Sequence, residues 1–214
     1  MKKRIVVLVS GRGTNLQAII DHCKSSPLAT VVEVVSSNES AFALMRAKSA
    51  NIRHTILPLK ERNSFLLKRL EELSPDLVVL AGYMKILPSD IINKFRNRII
   101  NIHPSLLPSF KGLEAPKQAL EFGAKVTGCT VHFVDEGVDS GPIILQQSVT
   151  IDEDDTEGSL AQKILPFEHK LLVEAVDLFC RGSIRIDGRR VYIVNRDLHE
   201  SKPEPTRSHQ IHLS

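Results

Sequence analysis

The chain has 214 residues, 42% hydrophobic and 25% charged, with a formal net charge of +3, an ordinary balance for a soluble globular protein with one sizeable core. Aromatic residues are 5% and tryptophan is absent, which leaves neither a stacking platform nor a basic stripe for nucleic acid. No apolar run approaches the roughly 18 residues of a membrane span, and IVVLV behind the basic MKKR start is too short for a secretory leader, so a cytoplasmic protein is expected. Cys23, Cys129 and Cys180 lie far apart without metal-ligand spacing. They predict reduced, buried thiols and no bound metal.

In chain order, RIVVLVS, VVEVVSS, HTILPL, DLVVLAG and RIINIH are short, near-continuous apolar runs. LQAIIDHCK, AFALMRAKSA, SFLLKRLEEL and SDIINKF lie between them with helical spacing. That alternation predicts an α/β fold, an open, mostly parallel sheet with helices on both faces. Beyond residue 125, VTGCTVHFV and GPIILQQSVTI, joined by DEGVDS, read as an antiparallel strand pair extending the sheet. A helix over 157–181 follows, in which Pro166 is expected to make a kink or a junction. The DG of SIRIDGRRVYIV marks a hairpin, and the four arginines of RGSIRIDGRR read as its solvated face. Residues 1–196 are expected to form a single domain, with 197–214 a poorly ordered polar tail.

Three motifs fall at strand ends. SGRGTN, residues 10–15, joins the first strand to its helix. It lacks the third glycine of a dinucleotide fingerprint and the GK[ST] of a Walker loop. It fits one compact phosphate at a helix N-terminus, or a tight turn with a helix cap. GYMKIL, residues 82–87, ends the fourth strand with an apolar shelf. In NIHPSLLPSFKG, residues 101–112, Asn101 and His103 project from one face of an extended chain. Pro104 removes a ladder donor, so the strand stops there. Farther on, Thr130 and His132 share one strand face, and the next turn carries Asp135, Glu136 and Asp139. A carboxylate of that turn is expected to reach the strand tip that bears His103. No GxSxG elbow supports a serine triad.

NIHPSLLPSFKG, followed by GCTVHFVDEGVDSGPIILQ, resembles the folate-dependent formyltransferases; SGRGTNLQAII and LAGYMKIL narrow the resemblance to the phosphoribosylglycinamide formyltransferases of purine (IMP) biosynthesis. It runs from about Arg4 to Glu174. The family implies a Rossmann-like sheet. It also implies transfer of a one-carbon formyl group from 10-formyltetrahydrofolate, the co-substrate, to the amine of glycinamide ribonucleotide. Residue by residue, the resemblance makes Asn101, His103 and Asp139 the catalytic trio. Gly13, Thr14 and Asn15 match the ribotide phosphate loop, and Glu168 the acid on the ribose hydroxyls. Arg62 matches a folate-binding arginine. Met84, Lys85, Ile86 and Leu87, with Asn101 and the turn of Asp135, Glu136, Gly137 and Val138, match the pterin pocket. Glu114 and Pro116 stand where the family often has histidines, and Leu172 and Val173 where it commonly has Tyr-Pro.

The implied chemistry needs no metal and no covalent intermediate. Asn101 is expected to donate to the developing oxyanion, and His103 to protonate the leaving nitrogen. Asp139 is expected to accept the amine proton and to hold the His103 pKa above about 6.5. The partners implied are two small molecules, with neither nucleic acid nor membrane, and a monomer or homodimer. The alternatives are methionyl-tRNA formyltransferase-like activity, formyltetrahydrofolate hydrolysis, or a non-enzymatic folate or ribotide sensor.

Overall fold

Residues branched at Cβ favour extended backbone. In the computed structural model, which describes residues 1–194, the first apolar runs become β1 (Lys3–Val9), β2 (Ala29–Ser36), β3 (His54–Ile56), β4 (Leu77–Leu80) and β5 (Ile99–His103). They alternate with α1 (Thr14–Ser25), α2 (Phe42–Ser49), α3 (Arg62–Leu73) and α4 (Ser89–Lys94). With β6 (Val126–Phe133) and β7 (Ile143–Thr150) they form one seven-stranded sheet, ordered β3-β2-β1-β4-β5-β6-β7. The pairings from β1 to β5 are parallel, and β6 and β7 add antiparallel to the edge. The expected sheet is therefore the one that forms. Its order reverses at β1, with β2 on one side and β4 on the other, and ligands of open α/β sheets bind at the strand carboxyl ends beside such a switch.

Alternate residues of β1 enter different layers. Ile5, Val7 and Val9 pack with Leu16 and Ile19 of α1 and Ala43 of α2, while Val6 and Leu8 pack with Leu66 and Leu70 of α3 and Ile91 of α4. The same period divides β5: Ile100 and Ile102 join the first layer and Ile99 the second. Asn101 and His103 thus continue the face begun by Ile99.

Two elements differ from the sequence expectation. The stretch 105–125, to which the sequence reading assigned no element, contains α5 (Ala115–Phe122), which starts with Pro116 in its first turn and stops at Gly123, φ 75°. Proline inside the start and glycine past the end are a helix signature that only eight helical residues made easy to overlook. Second, α6 (Glu157–Arg181) runs through Pro166 as one helix, so there is no junction. Proline inside a helix costs about 3 kcal/mol. Burial of Leu160, Ile164, Leu171 and Leu172, at about 2 kcal/mol each, exceeds that cost. Thr156 also starts the helix firmly, its Oγ1 accepting from Ser159 N (3.2 Å) while Ser159 Oγ accepts from Thr156 N (2.9 Å). Leu172, one of the departures from the family pattern, is wholly buried in this packing. The hairpin forms as β8 (Ile184–Asp187) and β9 (Arg190–Ile193), a separate two-stranded sheet. The expected polar tail, 197–214, lies outside the described residues. No helix among the described residues is long and apolar enough to cross a membrane.

Candidate active site

Cross-strand register builds the centre of the site. Asn101 of β5 lies opposite His132 of β6, and His103 opposite Thr130, so all four side chains share one face of the sheet. His103 is 4% exposed. Its Nε2 lies 2.8 Å from the Phe110 carbonyl; a carbonyl only accepts, so the ring keeps a proton on Nε2. Nδ1 then faces Asp139 Oδ2 at 3.3 Å. The same Oδ2 accepts from Gly112 N at 2.8 Å, while Oδ1 lies 3.4 Å from Asn101 Nδ2 and 3.5 Å from His132 Nε2. The structure therefore brings Asn101, His103 and Asp139 together, and adds His132, whose Nδ1 donates to Phe133 O at 2.8 Å. Sequence reasoning placed His132 on the right strand face without assigning it to the site. The signal was its cross-strand position, which needs the β5–β6 register.

Burial is the largest influence on His103 and pushes its pKa below the ordinary 6.5, outweighing the Phe110 carbonyl and the Asp139 carboxylate, which act upward. The expectation of a raised value is therefore overturned: desolvation of an imidazolium exceeds the attraction of one carboxylate. Burial also opposes ionisation of Asp139, but its contact with His132, the Gly112 N–H and the nearby His103 together hold its carboxyl below the ordinary 3.8. Both ring nitrogens of His103 thus face acceptors, the Phe110 carbonyl and the Asp139 carboxylate.

The segment after β5 is held over this cluster. Thr130 Oγ1 donates to Ser105 O (2.6 Å) and accepts from Leu107 N (3.1 Å), and Gln146 Nε2 donates to Leu107 O (2.9 Å). These bonds deliver Phe110 O and Gly112 N to His103 and Asp139. The sequence showed that the strand stops at Pro104 but not that the following backbone returns to the same site.

A second group forms where β1 ends. Gly13 caps α1 at φ 72° with no side-chain cap, so the first-turn N–H groups are left for another acceptor. A Cβ on Gly13 would lie 2.6 Å from Ala43 Cβ, so glycine is required there by both conformation and space. Thr14 opens the helix, and Asn15 Nδ2 donates to Glu168 Oε2 of α6 at 2.8 Å. Burial pushes the Glu168 pKa up, with the Asn15 amide opposing it. The end of β4 is tied to this loop by Ser10 N to Gly82 O (3.0 Å) and Met84 N to Ser10 Oγ (2.8 Å).

The residues matched to a folate pocket are dispersed around these groups. Met84, Lys85 and Ile86 are exposed, whereas Leu87 is buried in the core with Tyr83 and Ile91. Asp135 Oδ1 accepts from Gly137 N (3.2 Å) and Ser140 Oγ (2.5 Å), Glu136 Oε1 accepts from Asn93 Nδ2 (3.1 Å), and Val138 is exposed. Arg62 opens α3 beside a cavity of about 950 Å³ that Leu59, Lys68, Pro88 and Asp90 also line. It makes no hydrogen bond to either group among the described residues. Its Nε and Asn15 Oδ1 are buried without a partner among the described residues. Such groups are costly unless a ligand completes them, and one donor and one acceptor suit a carboxylate and a hydroxyl or amine. No three His, Cys, Asp or Glu among the described residues are grouped to hold a metal ion.

Residues 3–176 match the family described as formyl transferase. The phosphoribosylglycinamide formyltransferase of Escherichia coli (strain K12) is 39% identical over 201 residues, which cover 87% of this chain and 95% of that one. The trifunctional purine biosynthetic protein adenosine-3 of Homo sapiens is 43% identical over 192 residues, 86% of this chain but 19% of that protein. The chain thus spans 14–20% of the length of the trifunctional relatives it matches. The crystal structure of glycinamide ribonucleotide transformylase 1 from Symbiobacterium toebii superposes with a TM-score of 0.86 at 48% identity, covering 91% of this chain and 95% of that one. The chain belongs to the formyl transferase family, alongside proteins named phosphoribosylglycinamide formyltransferase that it matches over nearly their whole length.

Proposed function

We propose that the chain is a phosphoribosylglycinamide formyltransferase, moving a formyl group from 10-formyltetrahydrofolate to the amine of glycinamide ribonucleotide in purine biosynthesis. The observation that carries this reading is the buried cluster in which His103 Nδ1 and Asn101 Nδ2 both face Asp139, at 3.3 and 3.4 Å. It combines a proton donor, an oxyanion donor and a base in one water-poor recess. The folate supplies the formyl group as co-substrate. We place its tail carboxylate at Arg62, where the partnerless Nε would gain a charged acceptor, and its ring by Met84–Leu87 and the 135–138 turn. We place the ribotide phosphate on the N–H groups of Gly13, Thr14 and Asn15 and its hydroxyls on Glu168. One catalytic domain, 1–196, carries the reaction in the cytoplasm.

The amine lone pair forms the new C–N bond while the carbonyl electrons move to oxygen. Asn101 Nδ2 turns a hydrogen toward that oxygen, and His103, taking a second proton on Nδ1, stabilises the charge. Asp139 accepts the proton lost by the amine and passes it to His103 Nδ1, 3.3 Å away, so the second proton on the ring is the one the amine gave up. When the carbonyl re-forms and the bond to the folate nitrogen breaks, His103 gives that nitrogen its proton. The low resting pKa of His103 makes it a strong acid once the oxyanion has drawn it into the charged form. The experiment offers formyl-labelled 10-formyltetrahydrofolate with glycinamide ribonucleotide, with charged initiator tRNA, or with water alone. Label is expected on the ribotide. Label on tRNA, free formate, or no turnover would replace the proposal by the corresponding alternative.

A further inference from the structure

The β8–β9 hairpin lies beyond residue 176, where the family match stops, and its arginines were read as a solvated face. It is docked on the main core through Ile184, Ile186 and Val191. Gly188, at φ 57°, turns its tip and presents Arg189, whose Nη2 donates to Ser140 O at 2.7 Å. Ser140 follows Asp139, which is held in the left-handed region at φ 45°, an uncommon conformation for a residue with a side chain.

The turn has little packing on its far side. A cavity of about 600 Å³ lies between it and the hairpin, lined by Phe133, Asp135, Gly137, Pro142, Ile186 and Arg189. Behind the turn the backbones approach so closely that a Cβ on Gly141 would sit 1.8 Å from Phe133 O, which closes the base of the turn but not its tip. Among the described residues, Arg189 is the one side chain from outside the turn that hydrogen-bonds its backbone. We propose that Arg189 is a positioning residue: the hairpin acts as a strut across the cavity and holds the turn so that Asp139 faces His103 and the 135–138 backbone keeps its shape for the folate ring. The inference rests on the proposed formyl transfer for its kinetic consequence, but not for the strut itself.

Two readouts separate them. In hydrogen exchange, the amides of 136–141 are expected to exchange about fivefold faster in Arg189→Ala than in the wild type, the scale of one lost hydrogen bond, with β1 and β5 unchanged. In kinetics, Arg189→Ala is expected to raise the folate KM and lower kcat severalfold while leaving the ribotide KM alone. Arg189→Lys, which can still reach a carbonyl, should restore most of the loss. Exchange identical to wild type, or a lowered unfolding midpoint with kinetic constants intact, would overturn the strut. Wild-type protein inactive toward both substrates would instead overturn the proposed function, with the exchange result still deciding the strut.

Discussion

Asn15, in the first turn of α1, donates a 2.8 Å hydrogen bond to Glu168 of α6 across 153 residues of sequence. The bond joins the glycine loop to the C-terminal helix and leaves Asn15 Oδ1 buried without a partner among the described residues. Glu168→Gln keeps the shape and loses the charge. A charged acceptor is worth about 1.5 kcal/mol more than a neutral one, so the ribotide KM should rise about tenfold. The folate KM should stay put. Steady-state kinetics with each substrate varied in turn checks this, and an equal rise in both would remove Glu168 from the ribotide.

Arg62 is expected to act on the other substrate. Its partnerless Nε is a donor awaiting a carboxylate, and guanidinium–carboxylate pairing is bidentate where geometry allows. Arg62→Ala should weaken folate binding about tenfold or more and leave ribotide affinity unchanged. Titration of each ligand separately by calorimetry distinguishes this from an exposed helix charge, which would move neither.

Not every buried charge serves the site. Glu33 of β2 is wholly buried and takes two bonds from Arg69, Nε to Oε1 at 2.8 Å and Nη2 to Oε2 at 2.6 Å, with Thr55 Oγ1 donating at 2.8 Å. Removing one partner strands the other in the interior, at about 3 kcal/mol. Arg69→Ala should therefore lower the free energy of unfolding by that order, read by urea denaturation. The kinetic constants of whatever fraction remains folded should be unchanged.

Stability should also depend on pH through His103. Its pKa in the folded chain lies below the ordinary 6.5, so between the two values the unfolded chain binds more protons. Its contribution is full above about pH 6.5 and is lost as the pH falls through the folded value. His169, also lowered by burial, acts in the same direction. Asp139, lowered from 3.8, adds stability present above that value and lost in stronger acid. Denaturation midpoints should decline as the pH falls below about 6.5, with a shallower slope in His103→Asn. Identical slopes would show that burial does not lower the His103 pKa.

Much of this was legible from local pattern. Near-continuous apolar runs with helical segments between them point to a covered parallel sheet, and the i, i+2 placement of Asn101 and His103 puts both on one face whatever the tertiary detail. What stayed hidden depends on contacts made far away. The position of His132 opposite Asn101 is a matter of register. The left-handed turn at Asp139 depends on its closure against Phe133 and Gly112. The direction of the His103 pKa is decided by how completely its neighbours exclude water, and α5 was overlooked because its ends, not its interior, identify it.

The central claim is that Asn101, His103 and Asp139 carry formyl transfer as a unit with separate tasks. The most direct measurement is the single-turnover rate of formyl transfer against pH, with both substrates saturating, for wild type, Asn101→Ala and Asp139→Asn after each is shown to be folded. Asn101→Ala should cost about a hundredfold or more with the shape of the profile retained. Asp139→Asn removes the charge that favours the imidazolium, so the rate should fall and the profile's acidic limb should move to lower pH. If Asp139→Asn transfers the formyl group at the wild-type rate with the wild-type profile, the trio does not perform the chemistry.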